Sequence, residues 1–217
     1  VPIVFNKLNH VYRVNLKTGT SYTARYDVIN GNQNFINRLQ FPMHYQVALS
    51  HTNFRSARDL APGWGQNATL TYRHFPFENK VKGKLLTLKS NFYFPGLAIN
   101  HSFQASYNYQ FGNGSYRNLV DIPYVSGYAH LKPTADMNST LLLDYRFPIF
   151  YPDWEAGPLA YIKRIKGGFF ADFENIGGSR FSPRSYGAEL RADMNLLRFL
   201  LPNFDIGGKI IILNEKS

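Results

Sequence analysis

The side chains able to do chemistry in this chain recur at spacings of two. Asp144 and Arg146 stand in "LLLDYRFP", Glu189, Arg191 and Asp193 in "SYGAELRADMNL", and Asp172 in "GGFFADFE", while Arg164 and Lys209 lie in neighbouring segments. Paired carboxylates can work as general acid and base. On a β-strand, however, residues two apart share a face, so these carboxylates alternate with cations along one surface. The expected arrangement is a charge ladder of Asp144, Arg146, Arg164, Glu189, Arg191, Asp193 and Lys209 across adjacent strands, each charge neutralised by its neighbours.

Other routes to catalysis find little support. The six histidines, at 10, 44, 51, 74, 101 and 130, include no His-x-x-x-His pair, and no Gly-x-Ser-x-Gly elbow occurs. His101 and Ser102 are adjacent, so on a strand they point to opposite faces. With no cysteine there is no thiolate metal site and no disulfide framework. No catalytic, metal-binding or cofactor-binding residue is expected, and the chain is not read as an enzyme.

The elements that must carry these residues are strands. Alternation with period two runs almost from end to end. In "HSFQASYNYQF", Phe103, Ala105, Tyr107, Tyr109 and Phe111 oppose Ser102, Gln104, Ser106, Asn108 and Gln110. In "SYGAELRADMNL", Tyr186, Ala188, Leu190, Ala192, Met194 and Leu196 oppose the charged positions. The same rhythm marks Tyr12–Leu16, Tyr22–Val28, Tyr45–Leu49, Ala68–Tyr72, Leu141–Phe147 and Phe204–Ile212. About ten strands of roughly 9–12 residues are expected, longer than the usual five or six and matched to a tilted membrane crossing.

Alternation does not say which face is wet. A soluble sandwich buries its apolar face, whereas a membrane barrel turns that face to lipid and lines its interior with the polar one. The bunching of aromatics at strand ends favours the barrel, because rings sit well at headgroup level. Such groups are Phe92, Tyr93 and Phe94; Tyr145, Phe147, Phe150, Tyr151 and Trp154; His74, Phe75 and Phe77; and Tyr107, Tyr109 and Phe111. Short connections are expected at "KTGTS", "PGLAIN" and "FLLPN", and long ones at 30–42, 112–136 and 174–184. The 112–136 loop carries Leu119, Val120, Ile122, Pro123, Tyr124 and Val125, too apolar for a solvated tail, and is expected to fold into the lumen. The 217 residues, with 16% aromatics and a net charge of +10, suit one domain. Their basic residues are scattered rather than clustered, so nucleic acid is not expected as a partner.

The order of a loop with Ser126, Gly127 and Tyr128, a strand ending in Phe-Pro ("LLLDYRFP"), then a strand with Gly-x-Phe-x-Asp (Gly168, Phe170, Asp172) resembles the surface-antigen barrel superfamily. That superfamily includes the outer-membrane assembly insertase and the two-partner secretion transporters. "LLLDYRFPIF", "SYGAELRADMNLLRF" and "RDLAPGWGQNATLTYRHFPF" are also similar to C-terminal barrels of Bacteroidota envelope proteins, and the resemblance spans residues 55–213. The resemblance implies an antiparallel transmembrane β-barrel in the bacterial outer membrane, serving envelope protein assembly, translocation or secretion. Outer-membrane lipid, other envelope subunits and a client polypeptide are the implied partners. In that family an Arg-Gly-Phe/Tyr loop enters the lumen and its arginine meets an acidic residue on the wall. The matching positions are Gly127 and Tyr128 in the loop, with Phe170 and Asp172 on the wall. Ser126 replaces the arginine, so Asp172 needs another partner, and Arg164, Arg146, Arg191 and Lys209 are the candidates. About ten strands against the family's usual sixteen or so implies a partial barrel, with N-terminal strands and the closing strand outside this chain. The alternatives are a passive pore, a membrane anchor for a missing periplasmic domain, and a soluble β-sandwich binding a ligand.

Overall fold

A computed structural model describes residues 2–20, 26–27, 35–36, 42–54, 60–76, 82–114, 116–117, 119–128, 137–175, 183–196 and 204–214. Everything below concerns these residues. They form an all-β structure whose main sheet is antiparallel throughout. Its path runs through β1 (Pro2–Lys7), β2 (His10–Thr20), β5 (Met43–Asn53), β6 (Gly65–His74), β7 (Gly83–Pro95), β8 (Ser102–Gly114), β9 (Ser139–Phe150), β11 (Ala160–Glu174), β12 (Ser185–Leu196) and β13 (Phe204–Leu213). The short β10 (Trp154–Ala156) folds back on the start of β11. Except around the short elements, each strand pairs with its sequence neighbours, the simplest up-and-down order.

The sheet is open: β1 and β13 do not pair with each other, so the described strands form no closed barrel, as expected of a partial one. One expectation is corrected. The "KTGTS" connection is strand, because Lys17 to Thr20 pair in register with Gln46 to Met43. Within the expected Tyr22–Val28 strand, only β3 (Tyr26–Asp27) is described, and it pairs with β4 (Phe35–Ile36) in a separate two-stranded sheet. Tyr22, Ala24 and Val28 lie outside the described residues, as do His130, Phe77 and the "FLLPN" connection.

The two faces are opposite to those of a soluble sheet. On "GGFFADFE", Phe169 is 59% exposed while Phe170 is 5% exposed and Asp172 4%. The outward set continues across the register as Tyr45, Val47, Leu49, Leu70, Leu86, Phe92, Phe111, Leu190, Ile206 and Ile210, all exposed. The opposite face holds Thr87, Asn108, Gln110, Thr140, Asp172, Ser185 and Glu189, all buried. An ordinary domain buries its large apolar side chains and exposes its polar ones; here the sheet does the reverse.

Antiparallel order sorts the connections by rim. Those after β1, β5, β7, β9 and β12 leave at one rim, and those after β2, β6, β8 and β11 at the other. "PGLAIN" falls on the first rim, as does the long connection between Asn53 and Gly65, and the segment between β8 and β9 leaves at the second. Aromatic side chains gather near both. At the first, Trp64 meets Phe94 edge-on with centroids 5.3 Å apart, Phe94 lies 6.1 Å from Phe103, and Tyr145 lies 6.3 Å from Phe147. At the second, Tyr45, Tyr72 and His74 stack on one another. Polar groups on the outward face of the first rim satisfy one another: His10 and His51 share a 2.9 Å contact, and His51 contacts Gln66 at 2.7 Å. Along β8, the outward stretch from Phe103 to Phe111 spans roughly 27 Å at the usual rise per residue.

Candidate functional site

The polar face of β7, β8, β9, β11, β12 and β13 carries the candidate site, and the connection between β8 and β9 lies against it. Gln110, on β8, holds both legs of this connection. Its amide nitrogen donates to the carbonyls of Leu119 (3.2 Å) and Met137 (3.1 Å), and its carbonyl accepts from the Asp121 N–H at 2.9 Å. Ile122 and Val125 are buried beneath the segment, as are Leu85 on the wall and Tyr116, which stacks on Phe75. Of the apolar run 119–125, Ile122 and Val125 are thus taken onto the sheet, while Leu119 stays exposed. Residues 129–136 of the expected loop lie outside the described residues, and 112–114 belong to β8.

The tip of the segment sits on the "GGFFADFE" strand. The Ser126 N–H donates to Asp172 Oδ2 at 2.8 Å, and the Ser185 hydroxyl lies 3.5 Å from the same oxygen. Among the described residues no ion pair joins Asp172, so none of the four expected cations is its partner. A buried carboxylate can be satisfied by a backbone N–H as well as by a guanidinium, and the serine backbone does what an arginine side chain would have done. Lys209 instead donates to the Ser126 hydroxyl at 2.7 Å and stands 3.5 Å above the Phe170 ring. The cation comes from the wall and the acceptor from the loop. Gly127 has φ +85°, and a Cβ there would come within 2.6 Å of a Leu213 methyl, so the turn admits only glycine at this approach. Arg184, which the sequence did not single out, lies 4.8 Å over the Tyr128 ring and 3.7 Å from Glu174.

The charge ladder resolves into two clusters. Arg146 lies 3.0 Å from Glu189 and 3.7 Å from Asp144, and Arg191 lies 3.0 Å from Glu189. Register explains the first bridge: Arg146, Gly168 and Glu189 stand side by side on three strands, and Gly168 leaves the space between open. The second cluster joins Arg164 to Asp193, with Lys166 2.5 Å from Asp193 and 2.7 Å from Asp205. Six of the seven expected members are in ion pairs, and Lys209 is the one that turns to the loop. Lys166 and Asp205 were missed.

A third group was also missed. Asp121 of the loop lies 3.4 Å from both Arg73 on β6 and Lys89 on β7, and Thr87 donates to it at 3.3 Å. The one available signal was a lone carboxylate inside the apolar run "NLVDIPY". Burial pushes the Tyr116 hydroxyl pKa up, with nearby Arg73 pulling the other way. Among the described residues no three His, Asp or Glu side chains come close enough to share a metal ion. No protein-family model, curated protein or solved structure matches the chain.

Proposed function

We propose that this chain forms the wall of a transmembrane β-barrel of the surface-antigen type in a bacterial outer membrane, serving envelope protein assembly, translocation or secretion. The carrying observation is the inversion of faces. An aqueous sheet with Leu190, Ile206 and Ile210 outward and Asp172, Glu189 and Thr140 inward would gain nothing from its apolar burial. In lipid the same arrangement is favourable, because the outward band meets hydrocarbon and the charges of the two wall clusters face one another. Aromatics near both rims of that band support the same reading.

The translocation half of the reading rests on the loop. Its tip meets Asp172 through the Ser126 N–H, while the adjoining Gly127 lies against Leu213 and Tyr128 under Arg184. A lumen occupied in this way is suited to a gated passage for a client polypeptide rather than to a permanent pore.

The absence of native cysteine makes labelling direct. In detergent-purified protein returned to vesicles, a bilayer-confined thiol probe should react with Leu190→Cys and Phe103→Cys and spare the inward Gln104→Cys. Equal labelling of all three, or a monodisperse protein without detergent, overturns the membrane reading. In planar bilayers the loop-occupied protein should conduct poorly. Steady open channels would put a passive pore in place of the translocation reading.

A further inference from the structure

We propose that the cavity between the loop and the polar faces of β5, β6 and β7 binds an acidic segment of polypeptide, and that Asp121 occupies this site as an internal competitor. The proposal goes beyond the barrel reading and does not depend on it, since the polar face carries the site whichever solvent the other face meets. The cavity measures about 680 Å³ and is lined by Gln46, Thr71, Arg73 and Lys89 from the wall and by Tyr116 and Asp121 from the loop. That is within the usual size range of ligand pockets and far larger than the single carboxylate it holds.

Three features of that carboxylate mark it as a stand-in. First, two cations face one anion: Arg73 approaches Oδ2 and Lys89 approaches Oδ1, so one positive charge is left over. Second, both contacts are 3.4 Å and the Thr87 contact is 3.3 Å, all long beside a well-formed charge-assisted hydrogen bond of about 2.8 Å. Arg73 and Lys89 are also more than one-third exposed, within reach of an incoming group. Third, the loop does not rely on the carboxylate for its position: the Asp121 backbone is fixed by Gln110, and the next residue, Ile122, is buried. A tethered carboxylate thus fills a site it does not fit closely.

The chemistry of the stand-in indicates the class of ligand. Asp121 is presented on an apolar segment, Leu119 to Pro123, so the site already receives a carboxylate carried by a polypeptide. Gln46, Thr69 and Thr71 line the remaining space with groups suited to hydrogen-bond a peptide backbone. A client segment with aspartate or glutamate among apolar residues would take the same cations with freer geometry. It would displace the Asp121 carboxylate from the cations as it binds, leaving the backbone held by Gln110. The tethered competitor lowers the apparent affinity of any such ligand, as an occupied site does in general.

The test uses the full chain in detergent and a fluorescent, end-blocked pentapeptide, Leu-Val-Asp-Ile-Pro, with anisotropy as the readout. Wild-type protein should bind weakly. Asp121→Asn should bind roughly tenfold more tightly, because the competitor is removed, and adding Arg73→Gln and Lys89→Gln to it should abolish binding. The Leu-Val-Asn-Ile-Pro peptide should not bind. The proposal is overturned if Asp121→Asn binds no better than wild type, or if the asparagine peptide binds equally. Inorganic phosphate competing as strongly as the peptide would also overturn it, since the site would then recognise bare anions.

Discussion

At the residue level, Asp172 shows how a buried charge can be satisfied without a counter-ion. Its carboxylate is 4% exposed and takes the Ser126 N–H at 2.8 Å. Asp172→Ala leaves that N–H unpaired beneath the loop, at a cost of about 1–3 kcal/mol. Limited proteolysis between β8 and β9 should therefore speed up in this variant. Ser126→Ala keeps the N–H and loses only the Lys209 contact, so its effect should stay near about 0.5–1.5 kcal/mol. Equal effects from the two variants would place the lock in the Lys209 hydroxyl contact instead. Gln110 is a second anchor. Gln110→Leu removes both donors and the acceptor that hold Leu119, Asp121 and Met137. Its loop should be cut faster than that of Ser126→Ala, and a rate equal to wild type would show that apolar burial of Ile122 and Val125 suffices. The sequence, through a resemblance of order, set the Gly127–Tyr128 loop against Asp172, and the contact found there is made by Ser126. It did not indicate that a backbone N–H would be the donor, because every residue except proline carries that group and composition does not reveal where it points.

At the level of elements, legibility followed the purity of alternation. β8 and β12 alternate without interruption, and their faces were readable residue by residue. β7 was not, because Leu85 falls on its polar face and Ser90 on its apolar one. Leu85 is buried where the loop begins, close to Gly112 and Tyr116, and Ser90 satisfies its hydroxyl on the Tyr107 carbonyl at 2.6 Å. Both exceptions are paid for by tertiary contacts that no period count contains. On β11 the register shifts between Ile162 and Arg164 and again between Ile165 and Lys166. Such irregularities break alternation only at the start of the strand; Lys166 keeps the parity of Arg164 and Asp172 and pairs beside Arg191, so the pattern would have placed it in the ladder. The pairing of β12 with β13 supplies the prediction at this scale. A Cβ on Gly187 would lie 1.9 Å from the Ile210 carbonyl oxygen and 2.9 Å from the Phe170 ring. The backbone contact has no flexible side chain to absorb it. Gly187→Ala should separate β13 from β12 locally and destabilise the sheet by about 1–3 kcal/mol or more, the range of overpacking. Hydrogen exchange at Ile210 and Ile212 should report it, and protection equal to wild type would show that the sheet relaxes around the methyl group.

For the whole molecule, the question is which solvent the outer face meets, and a single substitution separates the answers. Leu190 is 55% exposed, lies on the outward face of β12 opposite Gly167 and Gly208, and stands between the two aromatic rims. If that face is wet, Leu190→Arg replaces an exposed apolar side chain by a solvated one, a change within about 0.5 kcal/mol either way. If that face is in lipid, arginine near the bilayer midplane costs about 2–4 kcal/mol. The inward Gln104→Arg supplies the comparison, since it adds the same charge to the polar face, where cations are already accommodated beside Asp144. Unfolding of the vesicle-inserted protein in urea should show Leu190→Arg markedly destabilised and Gln104→Arg little changed. The opposite order would assign water to the apolar face. The open edges of β1 and β13 do not enter this comparison, because Leu190 lies inside a three-strand set, β11, β12 and β13, whose pairing is continuous on both sides of it. The sign of the difference therefore reports the solvent at the centre of the wall.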